Sequence, residues 1–310
     1  MSKINIITKR ASSYMFGTTK VEGLAFDTTK NEDLYEQLAE INVSKREGKR
    51  KDIQVLFAID FKELSKAGVK IEYEYRLTPF DKAVHNAIAS LWVAGHQEGK
   101  NLNEYLTPRM IFQILAGNTS ESREIGPELR KAILGSIDKM RNTEITIDNS
   151  AEAKKFGYEK FICQSSLLPS ERIEGITLNG NEVIDCIHIL KKPPLFAYAD
   201  IKNQVGSVEI KMLNVPIKNT LGNIELKEYL LQRILSIKNS KSSLSPTIKY
   251  STVYEYMKIT APNSKALAKK KEKIRKNIIT LLDAWKSANF IKSYAEEKDG
   301  KTKSKVTIKI

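Results

Sequence analysis

Positively charged side chains are concentrated in one segment of the last quarter of the chain. Between Ser264 and Lys276 there are seven Lys and Arg residues and one acid, Glu272, which gives a local net charge of +6. Ammonium and guanidinium groups pair well with phosphate. Cations in the first turns of a helix oppose the helix dipole, so this segment favours a polyanionic partner.

The same segment has the spacing of an amphipathic helix, which we predict from about Ser264 to Asn289. Asn263 or Ser264 after Pro262 can cap its N-terminus. The opposite face is basic, with Lys265, Lys269 and Lys276 flanked by Lys273 and Arg275. The apolar residues that share one face are Leu267, Ile274, Ile278, Leu281, Leu282 and Trp285.

A basic hairpin is predicted directly after this helix. Two alternating segments, one with Ile291 and Tyr294 and one with Val306 and Ile308, flank a turn at Asp299 and Gly300. Six lysines and three acids from Ile291 to Ile310 give the hairpin a net charge of +3. A long basic helix followed by a basic hairpin predicts a winged helix that binds DNA. The alternative is an ordinary charged, solvated surface.

Composition agrees with a nucleic-acid partner. The chain of 310 residues has 51 Lys and Arg against 37 Asp and Glu, a net charge of +14, and a pI near 9.5. No apolar run approaches the roughly 20 residues of a membrane span, so we expect a cytoplasmic protein. Two cysteines, Cys163 and Cys186, stand far apart and predict buried thiols without a disulfide or metal role.

Earlier segments repeat the same order of elements. A first helix is predicted to start at Thr78 and Pro79 and to end at about Ala94. A shorter helix starts at Thr107 and Pro108 and stops at Gly117. A third runs from Pro127 to about Arg141. Predicted strands follow at 144–147, 161–164 and 175–190, the last with a turn at Asn179, Gly180 and Asn181; two more precede the first helix, at 53–61 and 69–75, and should complete the sheet of the first domain.

In the C-terminal half, Asn223 is predicted to cap a helix, and a shorter helix starts at Ser251. We therefore predict an α+β protein with two tandem winged-helix domains, each with a β-hairpin wing. The expected domains are an N-terminal arm at 1–52 that is partly mobile, a first winged helix at 53–215 and a second at 216–310. The boundary near Pro216 follows from the proline and glycine residues around it.

With this architecture and length, the chain resembles the iteron-binding replication initiators of bacterial plasmids. The resemblance covers about Val69 to Ile310, with Leu77-Thr78-Pro79 opening the first long helix and the basic helix near the C-terminus. It implies sequence-specific binding of repeated origin sites, self-association as a dimer through the first winged helix, and possible contact with a host initiator or helicase. It implies that the second domain makes the main major-groove contacts, with the base-reading role on the face around Lys265, Lys269, Lys273 and Lys276, and that Arg123, Arg130 and Lys131 make lesser contacts. Together with the basic residues above, the candidate DNA-binding set is Lys265, Lys269, Lys270, Lys273, Arg275, Lys276, Lys298, Lys301, Lys303, Arg123, Arg130 and Lys131.

Catalytic patterns are weak, so we expect no enzymatic activity, no cofactor and no metal. Gly95, Gly99 and Lys100 are one residue short of a phosphate-binding loop, and Asn101 replaces its Ser or Thr. The histidines His85, His96 and His188 are isolated along the sequence. Two other hypotheses remain open: a winged-helix transcription or partition regulator without an initiator role, and a nicking enzyme or primase with an unfamiliar site.

Overall fold

The computed structural model describes residues 54–57, 69–73, 77–96, 105–117, 125–148, 150, 154, 157–176, 183–201, 205–239, 245–300 and 302–310. The N-terminal arm, the turn at Asn179 to Asn181, Arg123 and Lys301 lie outside the described residues. The described residues form an α+β protein, with helices and antiparallel strands mixed along the chain.

Two compact units make up the chain. The first comprises Met1–Ile114 and Thr119–Glu209, and the second comprises Leu115–Asn118 and Ile210–Ile310. A short segment from the first half of the sequence, Leu115–Asn118, thus belongs to the second unit.

Helices and strands are interspersed between residues 54 and 209. In chain order they are β1 (Gln54–Phe57), β2 (Val69–Tyr73), α1 (Pro79–His96), β3 (Tyr105–Leu106), α2 (Pro108–Ala116), α3 (Pro127–Arg141), β4 (Thr143–Asp148), β5 (Ile162–Ser166), β6 (Ser170–Ile176), β7 (Val183–Ile189), α4 (Pro194–Ile201) and β8 (Gly206–Glu209).

Side-chain caps fix the starts of α1 and α2 where the sequence predicts them. The amide of Asp81 donates to Oγ1 of Thr78 over 3.2 Å, and the amide of Thr78 donates back to Oδ2 of Asp81 over 2.7 Å. Oγ1 of Thr107 accepts from the amide of Met110 at 3.2 Å. These bonds satisfy amides that a helix start otherwise leaves unpaired.

The strands of the first unit form three small sheets. Their orders are β3-β7-β6, β2-β4-β5 and β1-β8, and all pairs are antiparallel. The expectation that residues 53–61 and 69–75 complete one sheet is wrong, because β1 pairs with β8 and β2 pairs with β4. Alternation along a strand identifies its buried face but not its partner strand.

The second unit continues the chain from a 3-10 helix at Ile210–Leu213. Its further elements are α5 (Leu221–Asn239), β9 (Thr247–Lys249), α6 (Tyr250–Tyr256), α7 (Ser264–Ser287), β10 (Ser293–Asp299) and β11 (Thr302–Lys309). The three strands form one antiparallel sheet in the order β10-β11-β9.

Part of the element order recurs in the two units. Each has a long helix, a strand of two or three residues, a short helix, a longer helix and a hairpin, but in the first unit β4 and β5 lie between the last of these helices and the hairpin. In each, the second strand of the hairpin also pairs with the short strand: β7 with β3, and β11 with β9.

The start of α5 differs from the sequence prediction. Asn223 is the third residue of the helix and not its cap; its Nδ2 donates to the carbonyl of Lys218 over 2.8 Å. Thr220 precedes the helix, and its Oγ1 accepts from the amide of Asn223 at 3.4 Å. Both Thr and Asn are good capping residues, and spacing alone does not choose between two that stand three residues apart.

Candidate nucleic-acid interface

The rotation of α7 about its axis is fixed by its apolar face. Ile274, Ile278, Leu281, Leu282 and Trp285 are buried as predicted, whereas Leu267 is half-buried. Trp285 also donates from Nε1 to the carbonyl of Met212 over 2.8 Å. Because this face cannot turn outward without exposing a buried indole, the opposite face is held toward solvent.

The N-terminus of α7 is capped as predicted. Oδ1 of Asn263 accepts from the amide of Ala266 at 2.8 Å. The side chain at the cap therefore satisfies one of the free amides of the first turn.

Four lysines occupy the exposed face of α7: Lys265, Lys269, Lys273 and Lys276, which we call the lysine stripe. They recur every three or four residues, so they lie one above another along the helix. Within the described part of the chain, none of the four forms an ion pair or a side-chain hydrogen bond. The exposed carboxylate of Glu272 lies close enough to Lys276 for their charges to interact, but the two do not form an ion pair.

Lys270, another predicted contact residue, is exposed beside the stripe. Its Nζ donates to the carbonyl of Thr260 over 3.2 Å. The adjacent Lys271 instead lies with its Nζ 5.5 Å from the centre of the Tyr254 ring, a cation–π contact inside the unit.

Arg275 has different surroundings from the lysines. Its Nε and Nη2 donate to the two carboxylate oxygens of Glu272 over 2.9 and 2.7 Å, and its Nη1 donates to Oε1 of Glu296 over 2.7 Å. These hydrogen bonds to carboxylates raise the pKa of Arg275 above its ordinary value. The sequence predicts Arg275 as a DNA contact, whereas the structure holds it between two carboxylates within the second unit.

Glu296, on β10, joins several elements of the second unit. Besides Arg275, its carboxylate accepts from the hydroxyl of Tyr250 at 2.6 Å and from the ammonium of Lys303. Burial alone would raise the pKa of Glu296, but the hydrogen bonds from Lys303, Tyr250 and Arg275 lower it to about 2. Burial raises the pKa of Tyr250, and the hydrogen bond to the carboxylate of Glu296 raises it further.

Glu296 and Tyr250 are not among the residues predicted from the sequence to have a role. Tyr294 and Glu296 stand two residues apart on β10 and therefore face the same way, so the sequence does indicate that they share a surface. The hydroxyl of Tyr294 donates to Oδ1 of Asp283 on α7 over 2.6 Å. Two adjacent same-face residues of the hairpin thus bind α7.

The lysines of the hairpin differ in whether they form ion pairs. Lys298 is exposed, while the ammonium of Lys303 pairs with Glu296 and that of Lys305 lies 2.9 Å from Glu297. Gly300 has φ of 59° at the turn, where other residues are strained. Of the predicted hairpin contacts that the structure describes, Lys298 is the one whose ammonium forms no ion pair.

The predicted contacts of the first unit lie on α3. Arg130 and Lys131 are exposed in its first turns, near the exposed acid Glu128. Asp138, further along this helix, pairs with Arg141 at 3.5 Å and with Arg172 at 4.0 Å. The exposed start of α3 therefore mixes both signs of charge.

The two histidines whose side chains are described have different surroundings. His85 is buried in α1, and burial lowers its pKa to about 4. His188 stacks on Tyr105 with ring centres 4.4 Å apart, and its Nδ1 lies 3.5 Å from a carboxylate oxygen of Glu171. Among the described residues, no three His, Cys, Asp or Glu side chains are grouped so that they could hold a metal ion.

Comparisons with known proteins leave the family of this chain open. No protein-family model matches the sequence, and no curated protein matches it. The chain is similar to a crystal structure of domain 2 and domain 3 of RctB, with 12% identity and a TM-score of 0.38 over 78% of this chain and 86% of that one. Similarity at this level does not bear on function. No helix in the described part of the chain is both long and apolar enough to cross a membrane.

Proposed function

We propose that the chain binds double-stranded DNA, chiefly through α7 and the β10–β11 hairpin of the second unit. The lysine stripe is the observation that carries this proposal. From Lys265 to Lys276 it extends about 16 Å along the helix, at a rise of 1.5 Å per residue. Ammonium groups placed along such a length can pair with several phosphates and release their counterions.

Element order supports a winged-helix architecture for both units. The second unit has the helix, strand, helix, helix and hairpin order typical of this architecture, with the second hairpin strand paired to the short strand; the first unit has the same order with β4 and β5 added before the hairpin. In such a domain the long helix enters the major groove, which is wide enough to admit an α-helix. The hairpin then lies along the phosphates, where Lys298 can contact them.

The biological role that we propose is initiation of plasmid replication in the cytoplasm, by binding repeated origin sites as a self-associating and non-catalytic protein. It follows from the resemblance described above, with the first unit supplying self-association and an auxiliary contact. Maintenance of an origin-bearing plasmid that encodes the chain tests it. A chain that binds this DNA but does not maintain the plasmid would instead be a regulator.

DNA binding itself is tested with two charge-matched variants of the full chain. One replaces the lysine stripe with alanine; the other replaces four exposed lysines elsewhere in the second unit, Lys249, Lys286, Lys292 and Lys309. Affinity for a fluorescent duplex is measured at several salt concentrations.

The stripe variant should bind at least about tenfold more weakly, and its salt slope should fall by roughly 0.9 for each phosphate that is no longer neutralised. The control variant should change far less, although it loses the same charge. Equal losses of affinity in the two variants would show that DNA binding depends on net charge alone. That result would contradict the proposal that α7 binds the DNA.

A further inference from the structure

We infer that α7 binds the phosphate backbone of duplex DNA and does not read its base sequence. This inference rests on the proposed DNA-binding function and makes it more specific. The ligand of the lysine stripe is then the backbone of any B-form duplex.

Base reading in the major groove depends on a few side chains. Arg or Lys can pair with guanine, Asn or Gln with adenine, and Asp or Glu accepts from cytosine; among these, the planar groups of Arg, Asn, Gln and the carboxylates have a fixed hydrogen-bonding geometry, whereas the lysine ammonium does not. Such contacts discriminate by about 1–3 kcal/mol because the donor and acceptor pattern must match. The residues with planar groups of these types on α7 are Glu272, Arg275, Asn277 and Asp283, and the others are lysines.

Glu272 and Arg275 are engaged with each other and with the hairpin. The guanidinium of Arg275 binds both oxygens of Glu272, and its remaining terminal nitrogen binds Glu296 at 2.7 Å. Hydrogen bonds from Arg275 lower the pKa of Glu272, so this carboxylate stays ionised and paired. To present Arg275 to a guanine, its guanidinium would have to give up three hydrogen bonds to the carboxylates of Glu272 and Glu296.

Asn277 and Asp283 are engaged with other elements of the second unit. Nδ2 of Asn277 donates to Oδ1 of Asn223 on α5 over 2.9 Å, and Asn223 in turn donates to the carbonyl of Lys218. Oδ1 of Asp283 accepts from the hydroxyl of Tyr294 at 2.6 Å. All four of these side chains are therefore used to hold the fold.

The exposed face that remains has little capacity to discriminate. Besides the lysine stripe it carries Ser264, Ala268 and Lys270. The ammonium of lysine is a flexible point charge without the planar fork of arginine. No described partner orients the four stripe ammonium groups, so each can follow the nearest phosphate. Any sequence preference of the chain then comes from residues outside α7 or from the deformability of the DNA.

The test compares the full chain with its stripe variant on three duplexes of equal length: one rich in G·C pairs, one rich in A·T pairs and one mixed. Circular dichroism checks that both proteins are folded. A second arm sequences the duplexes that each protein retains from a randomised pool.

We expect the stripe substitutions to weaken binding by the same factor on all three duplexes, within about twofold, and to leave any selected consensus unchanged. The inference would be overturned if the stripe substitutions weakened binding to the G·C-rich duplex by a factor roughly ten times that for the other duplexes, because lysine can also contact guanine. It would also be overturned if the parent chain and the stripe variant selected different consensus sequences. In either case DNA binding itself would stand. If the parent chain binds no duplex, or the stripe variant loses no affinity, the proposed function fails and the inference fails with it.

Discussion

The guanidinium of Arg275 lies 2.7 Å from the carboxylate of Glu296, and this pair joins α7 to the first strand of the hairpin. Both side chains are largely shielded, with 18% and 13% of their surfaces exposed. A charge pair in such surroundings is screened less than a surface pair. It therefore sets the spacing between the lysine stripe and the hairpin, and we expect its loss to affect both stability and DNA binding.

Replacing Glu296 with Gln should destabilise the second unit by about 1–2 kcal/mol at neutral pH, because folding lowers the pKa of this carboxyl from 4.5 to about 2 and solvent screens part of that effect. A depressed carboxyl pKa contributes stability above pH 4.5, and that contribution is lost as pH falls toward 2. The variant should lack this pH dependence and bind DNA several-fold more weakly. Urea unfolding at several pH values measures it, with Glu297→Gln as the control. Equal effects of the two substitutions would contradict a special role for Glu296.

Replacing Trp285 with Ala should cost roughly 3–5 kcal/mol of stability, because it removes a side chain that is 1% exposed and leaves a cavity. Trp285→Phe keeps most of the burial but loses the bond to the carbonyl of Met212, so it should cost less. Thermal melting of the three proteins measures the series. A melting temperature for Trp285→Ala equal to that of the parent would mean that this face of α7 is not packed.

Gly117 should tolerate no side chain, because its φ is 66° and a Cβ there would lie 2.1 Å from the backbone nitrogen of Asn214. Gly117→Ala should cost at least about 2 kcal/mol, from left-handed backbone strain and from that clash. Gly135→Ala is the control: it lies inside α3 with nothing within 4 Å of the added Cβ, and should stabilise by about 0.5–1 kcal/mol. Unfolding that shifts in the same direction for both would contradict this local geometry.

Acid should destabilise the first unit through His85. Burial, with a smaller contribution from the charge of Lys82, lowers its pKa from 6.5 to about 4. The folded state keeps the imidazole neutral while the unfolded chain takes up a proton below pH 6.5. Stability should therefore fall by about 3 kcal/mol between pH 6.5 and 4 and then level off.

His85→Leu should remove that slope. The chain has two tryptophans, one in each unit, so a Trp285→Phe background leaves Trp92 as the fluorescent reporter of the first unit. Urea unfolding is followed at several pH values with and without the His85→Leu substitution. If both proteins lose stability in parallel over this pH range, His85 is excluded as the cause.

Local signals were sufficient to predict the starts of α1, α2 and α7 and the buried face of α7, but not the helix α4 or the start of α5. Thr78, Thr107 and Asn263 each accept the amide bond expected of a cap, and the apolar spacing of α7 predicts its buried face. Such features depend on residues within one or two turns of each other, so they are readable in the sequence. The hairpin turn at Gly300 is local in the same sense.

Long-range contacts could not be predicted in this way. Lys227 is an example, because a lysine in a helix is ordinarily expected at the surface. It is fully buried, and its ammonium donates to the carbonyls of Leu115 at 2.9 Å and Leu213 at 3.1 Å. Its partners lie 112 and 14 residues away in sequence. The engagement of Arg275 by Glu296 is hidden for the same reason, since charge counting treats both as free surface groups.

These contacts also affect how the second unit can be isolated. A boundary near Pro216 follows from local composition, but Met212, Leu213 and Leu115–Asn118 contribute to the second unit. A fragment that begins at Ile217 would leave the ammonium of Lys227 buried without two of its acceptors, at a cost of several kcal/mol. Binding experiments should therefore use the full chain.

The most direct test of DNA binding by α7 places a DNA-cleaving iron chelate on that helix. The full chain carries Cys163→Ser, and Cys186 is kept because it is buried. Lys269→Cys places the chelate on the lysine stripe. Ser236→Cys, at an exposed position of α5, is the control. Cleavage of a bound duplex is then mapped along both strands. If the lysine stripe faces the duplex, position 269 should give strong cleavage confined to a few adjacent nucleotides, and position 236 should give little. Equal cleavage from the two positions, or cleavage from position 236 alone, would contradict the placement of DNA on α7.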